Sequence, residues 1–457
     1  MSASEKPVRE HWSSEYTFIL AALGSAVGLG NIWRFPYLAG ENGGGAFVIV
    51  YLLFVIGIGL PALIATIMIG RRGQSSPIQC FAVIASTEGL SRRWTYLGWL
   101  LVLSAYFLLT FFSVVASWTF DYLVKALSAE FRGLNAETSV IMFSLLKSDP
   151  LRLSLWHGLF MGLTLIVVGR GIRRGIERAV KLMMPALFFL LLILAVYSLI
   201  AGDARAALQF LFSPNFSKLN ANSVLLAVGQ AMLSLSVGGA GMLVYGAYLN
   251  KKVSIPRTAI VIATVDTLVA LLTGLIIFPI VFAYGLEPGS GPGLIFVTLP
   301  IAFGQMPGGI LFGILFFILL LLAAQTSAFS MFEPVVAWIE ENKRIQRKWA
   351  ALITGVVAWL IGLATVFSFN IWSDIRPLRL IPRFQDLSIF RALEYFVTSI
   401  SIPLGTLMVA VFVGWIISEK IRTEEFGSKT DLWYVFWRLV VKYLVPLSVL
   451  IIFFINL

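Results

Sequence analysis

The sequence predicts an all-α polytopic membrane protein, and three observations carry that prediction. Of its 457 residues, 59% are hydrophobic and only 12% charged, with a mean hydropathy of +0.90. A water-soluble chain of this length needs far more polar surface. Eleven apolar stretches of spanning length follow one another, at 14–40, 46–70, 95–126, 153–169, 180–201, 221–249, 257–284, 308–339, 348–370, 389–418 and 433–457. The cations are sided: 23 of the 34 Lys and Arg fall in connections facing one side of such a bundle, and ten in those facing the other. Cytoplasmic connections carry that excess, which predicts a cytoplasmic N-terminus and an outside C-terminus. The same sidedness accounts for the net charge of +11 without a nucleic-acid partner.

Composition bounds the chemistry as well. One cysteine, Cys80, excludes an internal disulfide, and two histidines, His11 and His157, leave no zinc or haem cluster. Both histidines read as membrane-interface residues. No nucleophile, base and orienting group cluster together, so an enzyme is not predicted. The polar stretch Met1 to His11 lacks the pattern of a cleavable signal, and the first apolar segment is expected to start insertion.

Taken in order, segment one holds the most irregular stretch, Gly24 to Pro36, with three glycines, Asn31, Arg34 and Pro36 inside a spanning run. Glycine weakens a helix interior by about 1 kcal/mol and proline by about 3, and an arginine at bilayer depth costs at least about 2.5. Irregular backbone is tolerated there only where protein or a polar cavity satisfies it. A helix broken at mid-membrane is therefore expected. Segment five carries Gly175 and Pro185. The proline removes a backbone hydrogen bond, which gives either an ordinary kink or a cytoplasmic half that can unwind.

Segment six repeats the irregularity in Ser234 to Gly241, five segments after the first break. Either stretch alone is compatible with close packing through small residues. Paired interruptions in corresponding halves point instead to an inverted repeat with a binding site at the midplane. Five being odd, the halves insert in opposite orientations. One domain over 1–457 is expected: a first five-helix repeat at 14–201, a second at 221–418 and an extra helix at 431–457. Segment seven contributes Asp266, an intramembrane carboxylate and functional by default. Segment eight contributes Ala323, Thr326 and Ser327, whose hydroxyls either bond back to their own helix or coordinate a cation, and Glu333, for which no partner is legible. Residues 285–308 read as a turn-rich lid with helical potential in its middle, and 371–388 as a polar, basic loop.

These residues resemble the neurotransmitter:sodium symporter family, and its prokaryotic amino-acid transporters in particular. The resemblance covers nearly the whole chain and rests on Gly24 to Pro36, Glu41-Asn42-Gly43-Gly44-Gly45-Ala46-Phe47, Ser234 to Gly238 and Thr326-Ser327. It implies a sodium-coupled symporter in a prokaryotic plasma membrane that imports an amino acid by alternating access. Two sodium sites are implied, one at Ala26, Asn31, Ser234 and Asp266 with the substrate carboxylate, and one at Gly24, Val27, Ala323, Thr326 and Ser327. Asp266 stands where the family commonly has asparagine, so chloride is not expected to be required. Gly28 replaces the aspartate of amine transporters, which fits a substrate with its own carboxylate.

The implied substrate pocket comprises Ala26, Leu29, Gly30, Leu108, Phe112, Leu233, Ser234, Ser236, Gly239, Ser327 and Met331. Gly239, often aromatic in the family, leaves room for a large hydrophobic or aromatic side chain. Arg34 with Glu394 resembles the outer gate, and Arg9 and Trp12 with Glu341 the inner gate. Three positions depart from the pattern: Phe112 for a tyrosine, Leu233 for an aromatic lid and Thr66 for a glutamate that supports segment six. Two alternative functions are a non-transporting amino-acid sensor on the same fold and a proton-coupled transporter working through Asp266.

Overall fold

The computed structural model describes residues 10–288, 293–343, 345–427 and 431–456. Among the described residues every regular element is helical. Nine helices among these residues are long and apolar enough to cross a membrane: Gly45–Gly73, Arg92–Leu127, Pro150–Gly169, Ile172–Ala201, Ile255–Ala283, Gly309–Lys343, Arg347–Phe367, Ile389–Ile416 and Leu432–Phe454. A bent pair, Glu15–Ala26 with Gly30–Glu41, makes a tenth span. Segment six consists of two short helices, Ala221–Ser234 and Ala240–Ala247, neither of spanning length by itself. The count of eleven therefore depends on reading those two as one interrupted crossing.

Both interruptions follow from local chemistry. Segment one leaves the helix at Val27 (φ −74°, ψ 84°) and resumes 50° away. A Cβ on Gly28 would stand 2.4 Å from Ser327 Oγ and 3.3 Å from its Cβ, so a side chain here would force the Ser327 hydroxyl to turn away. In segment six, Ser236 (φ +52°) and Gly238 (φ +81°) adopt left-handed backbone. Serine is strained in that region, and its hydroxyl is held by the Ser25 carbonyl at 2.9 Å. Gly238 has no alternative, because a Cβ would lie 2.3 Å from both Ile402 O and Thr406 Oγ1.

The broken helices sit at the centre. The first half of segment one packs on segments five, seven and eight, and the second half of segment six on segment two. That last contact is backbone to backbone: a Cβ on Gly70 would meet Leu243 O at 2.0 Å, and one on Gly246 would meet Ile67 O at 2.8 Å. Thr66, at the position where the family's supporting glutamate is missing, donates to Ala62 O in its own helix at 2.8 Å. Close helix contact supports segment six in place of a side-chain bond.

Short helices that hydropathy did not reveal cover the bundle ends, at Pro77–Thr87, Ala136–Ser148, Ala204–Phe212 and Glu419–Phe426. The lid at 285–308 is helical in its middle, from Leu294 to Gln305, and its residues 289–292 lie outside those described. Segment five continues through Pro185 as helix, preceded by a wide turn at Ile172–Glu177; the stretch before Pro185 is wound in this structure.

Candidate functional site

The two breaks meet at a buried oxygen cluster. Asn31 Nδ2 donates to Asp266 Oδ1 at 2.7 Å and to the Asp266 carbonyl at 3.0 Å. The Ser234 hydroxyl faces Asn31 Oδ1 at 3.0 Å and the Asp266 carboxylate, and Tyr51 Oη lies 3.2 Å from Ser234 Oγ. Asn31, Ser234 and Asp266 are all at most 1% exposed. The neighbours bonded to the carboxylate are uncharged. An ionised carboxylate buried without a cationic partner is costly, and an oxygen-rich niche of one net negative charge suits a hard monovalent cation.

A second cluster joins segments one and eight. The Ser327 hydroxyl donates to Gly24 O at 3.2 Å, and the Thr326 hydroxyl faces Ala323 O and Leu322 O, each at 3.1 Å. A Cβ on Gly24 would sit 2.9 Å from Thr326 Cβ and 3.3 Å from Met184 Sδ of segment five. Gly24, Ala323, Thr326 and Ser327 are thus brought together, and Val27 lies at the adjoining break.

Beside the first cluster lies a cavity of about 220 Å³. Ala26, Leu29, Gly30, Leu108, Phe112, Leu233, Ser236, Gly239, Ser327 and Met331 all line it. Ser234 does not; its hydroxyl is spent in the oxygen cluster. Phe112 packs edge-on against Phe160, and Leu233 joins an apolar patch with Phe111, Val397 and Ile402. A Cβ on Gly239 would meet nothing within 4 Å, so the missing aromatic leaves open space.

Arg34 and Glu394 also line the cavity but do not bond each other. Arg34 Nη1 donates to Gln230 Oε1 at 3.1 Å, and Glu394 pairs with Arg391 at 2.9 Å. The expected outer ion pair is therefore not made in this structure, because the cavity passes between its members. At the opposite end Trp12 is buried, with Nε1 donating to Tyr245 O at 3.0 Å and its ring edge-on to Tyr245 and Tyr248. Arg9 lies outside the described residues. Glu341 accepts the Ser76 N–H at 2.8 Å, where the helix Pro77–Thr87 begins.

Glu333 does have partners: it pairs with Arg347 and accepts from Tyr248 Oη at 2.8 Å. Arg347 also bonds Glu340 at 3.0 Å and Val168 O at 3.0 Å, tying segments four, six, eight and nine beneath Trp12. The sequence reading missed Tyr51 and Gln230. Gln230 Nε2 donates to Gly30 O at 2.9 Å, and an amide in an apolar helix was the available signal. Tyr51 gave none, since a tyrosine in an apolar run reads as core. Ser25 and Ser330, which also line the cavity, were missed for the same reason.

A bundle of apolar helices whose two broken members meet at buried oxygens beside a central cavity is a multi-pass membrane transporter. The profile of the sodium:neurotransmitter symporter family matches residues 9–139 and 134–457, and the chain belongs to that family. It is 36% identical over 454 residues to the uncharacterized sodium-dependent transporter YhdH of Bacillus subtilis, covering 99% of this chain and 98% of that one. A sodium-dependent transporter of Haemophilus influenzae is 31% identical, with 98% of each chain covered. The crystal structure of MhsT in complex with L-phenylalanine superposes with a TM-score of 0.89 at 38% identity, covering 98% of this chain and all of that one.

Proposed function

We propose that the protein is a sodium-coupled symporter that imports a bulky neutral amino acid, hydrophobic or aromatic, by alternating access. The observation that carries this reading is the buried Asn31–Ser234–Asp266 cluster at the junction of both breaks, next to an apolar-walled cavity. MhsT, seen with L-phenylalanine, supports the substrate class. In this reading one sodium binds Ala26 O, Asn31, Ser234 and Asp266, and a second binds the carbonyls of Gly24, Val27 and Ala323 with the hydroxyls of Thr326 and Ser327. The amides of Leu29 and Gly30 hold the substrate carboxylate, which shares the first sodium. Sodium and substrate then stabilise each other in the site, and that mutual stabilisation is the coupling.

Closure follows from the two ends of the cavity. Arg34 and Glu394 approach as the outside closes, and release of Trp12, with Arg9 and Glu341 separating, opens the inside. Loosening of segment five at Gly175 and Pro185 gives water a path to the second sodium. The chain works as one domain of two inverted repeats, with its N-terminus cytoplasmic and its C-terminus outside. Asp266 supplies the charge that makes chloride unnecessary.

The test is uptake of labelled L-phenylalanine or L-leucine into proteoliposomes. An imposed inward sodium gradient should drive accumulation, and potassium or choline should abolish it. Accumulation driven by a pH gradient alone would establish the proton-coupled alternative. Sodium-dependent binding without uptake or counterflow would establish the sensor. Alanine or glycine competing better than leucine, phenylalanine and tryptophan would overturn the bulky-substrate assignment.

A further inference from the structure

The cavity walls are mostly apolar, yet four serines, Ser25, Ser236, Ser327 and Ser330, reach its lining. Each hydroxyl has one proton to donate and two lone pairs that accept. The protons are committed. Ser25 donates to Ser330 Oγ at 2.8 Å, Ser330 to Ser327 O at 2.8 Å, Ser236 to Ser25 O at 2.9 Å and Ser327 to Gly24 O at 3.2 Å. What the group offers the cavity is therefore acceptor capacity.

Ser25 and Ser330 stand out, because neither side chain is assigned to a sodium ion or to the substrate carboxylate. Ser25 precedes the break in segment one, whereas the amides of Leu29 and Gly30 follow it. Gly241 keeps Ser330 in place: a Cβ there would stand 3.1 Å from Ser330 O and 3.2 Å from its Oγ. The open space at Gly239 and the wall of Leu108, Phe112 and Met331 admit a wide ring. Ser330 Oγ keeps one lone pair beyond the bond it accepts from Ser25, and Ser25 Oγ keeps its own; a purely hydrocarbon tip packed against them desolvates those lone pairs without replacing their hydrogen bonds.

We infer that the Ser25–Ser330 hydroxyl pair reads a hydrogen-bond donor at the tip of the substrate side chain, so that amino acids bearing an indole N–H or a phenol O–H are selected over ring isosteres that lack one. The inference rests on the reading of this cavity as an amino-acid site. It predicts a donor preference, which the bulky-substrate reading alone does not.

The experiment is competition against labelled L-tryptophan on the purified full-length protein in sodium buffer. L-tryptophan is compared with 3-benzothienyl-L-alanine, in which sulfur replaces the N–H, and L-tyrosine with L-phenylalanine. The wild type should prefer each donor-bearing member by about tenfold, as one well-made hydrogen bond supplies. In Ser330→Ala and in Ser25→Ala both ratios should fall towards one, with melting temperatures confirming that the variants fold. Equal affinities within each pair in the wild type, or a preference that survives both substitutions, overturn the inference while leaving the amino-acid site standing. Absence of sodium-dependent binding by any of the four ligands overturns the amino-acid reading itself.

Discussion

Asp266 shows what one residue decides. It lies at zero exposure between Asn31 and Ser234, and among the described residues no charged side chain bonds to it. If its charge is balanced by sodium, Asp266→Asn removes that balance. Sodium should bind at least about tenfold more weakly, a change of roughly 1.4 kcal/mol, and chloride should restore part of the uptake; sodium titrations of binding with and without chloride check this. Gly28 is decisive by what it lacks. Its Cβ would stand 2.4 Å from Ser327 Oγ, so Gly28→Ala should abolish uptake while the protein still folds, read as transport against the melting curve. Both residues were legible in the sequence, Asp266 as a charge out of place and Gly28 within an improbable run. Glu333 was not, because its partner Arg347 is fourteen positions away across a chain reversal and no spacing rule joins them.

Elements decide where the breaks fall and which can move. Segment six breaks where Ser236 and Gly238 turn left-handed and segment ten presses against Gly238. Gly238→Ala adds a Cβ both where the backbone disfavours it and where Ile402 O already lies, so it should destabilise by more than about 1 kcal/mol, seen as a lower melting temperature. Segment five differs, since it holds a proline inside a continuous helix. An interior proline costs a helix about 3 kcal/mol, so Pro185→Ala should stiffen the half before it. Turnover should then fall with substrate affinity little changed, a split that comparing uptake rate with equilibrium binding resolves. Glycine and proline announced both elements in the sequence. The short covering helices such as Pro77–Thr87 were invisible there, because eleven residues are too few to carry a spanning signal, however apolar.

At the scale of the whole molecule, one end of the bundle is tied and the other is not. Trp12, Tyr245, Tyr248, Glu333 and Arg347 link the N-terminus to segments six, eight and nine, while Arg34 and Glu394 keep separate partners across the cavity. Glu333 is fully buried, so Arg347→Ala leaves a charge without its counter-ion and should cost about 3–5 kcal/mol. Glu333→Gln with Arg347→Met should recover much of that loss in thermal melts. The proposed import of sodium with a neutral amino acid makes transport electrogenic: each sodium moved inward through 100 mV gains about 2.3 kcal/mol, so an inside-negative potassium diffusion potential should speed initial uptake. The sequence by itself determined the helical membrane class, the two interruptions, the family resemblance and most of the residues that meet at the centre, because hydropathy, glycine and misplaced charge are local signals. Only the tertiary structure decided that Arg34 turns to Gln230, that Thr66 gives way to backbone contact between segments two and six, that Glu333 pairs with Arg347, and that the hydroxyls of Ser25 and Ser330 face one cavity. Each of those depends on which helices become neighbours, and that choice is made by packing over distances the local pattern does not encode.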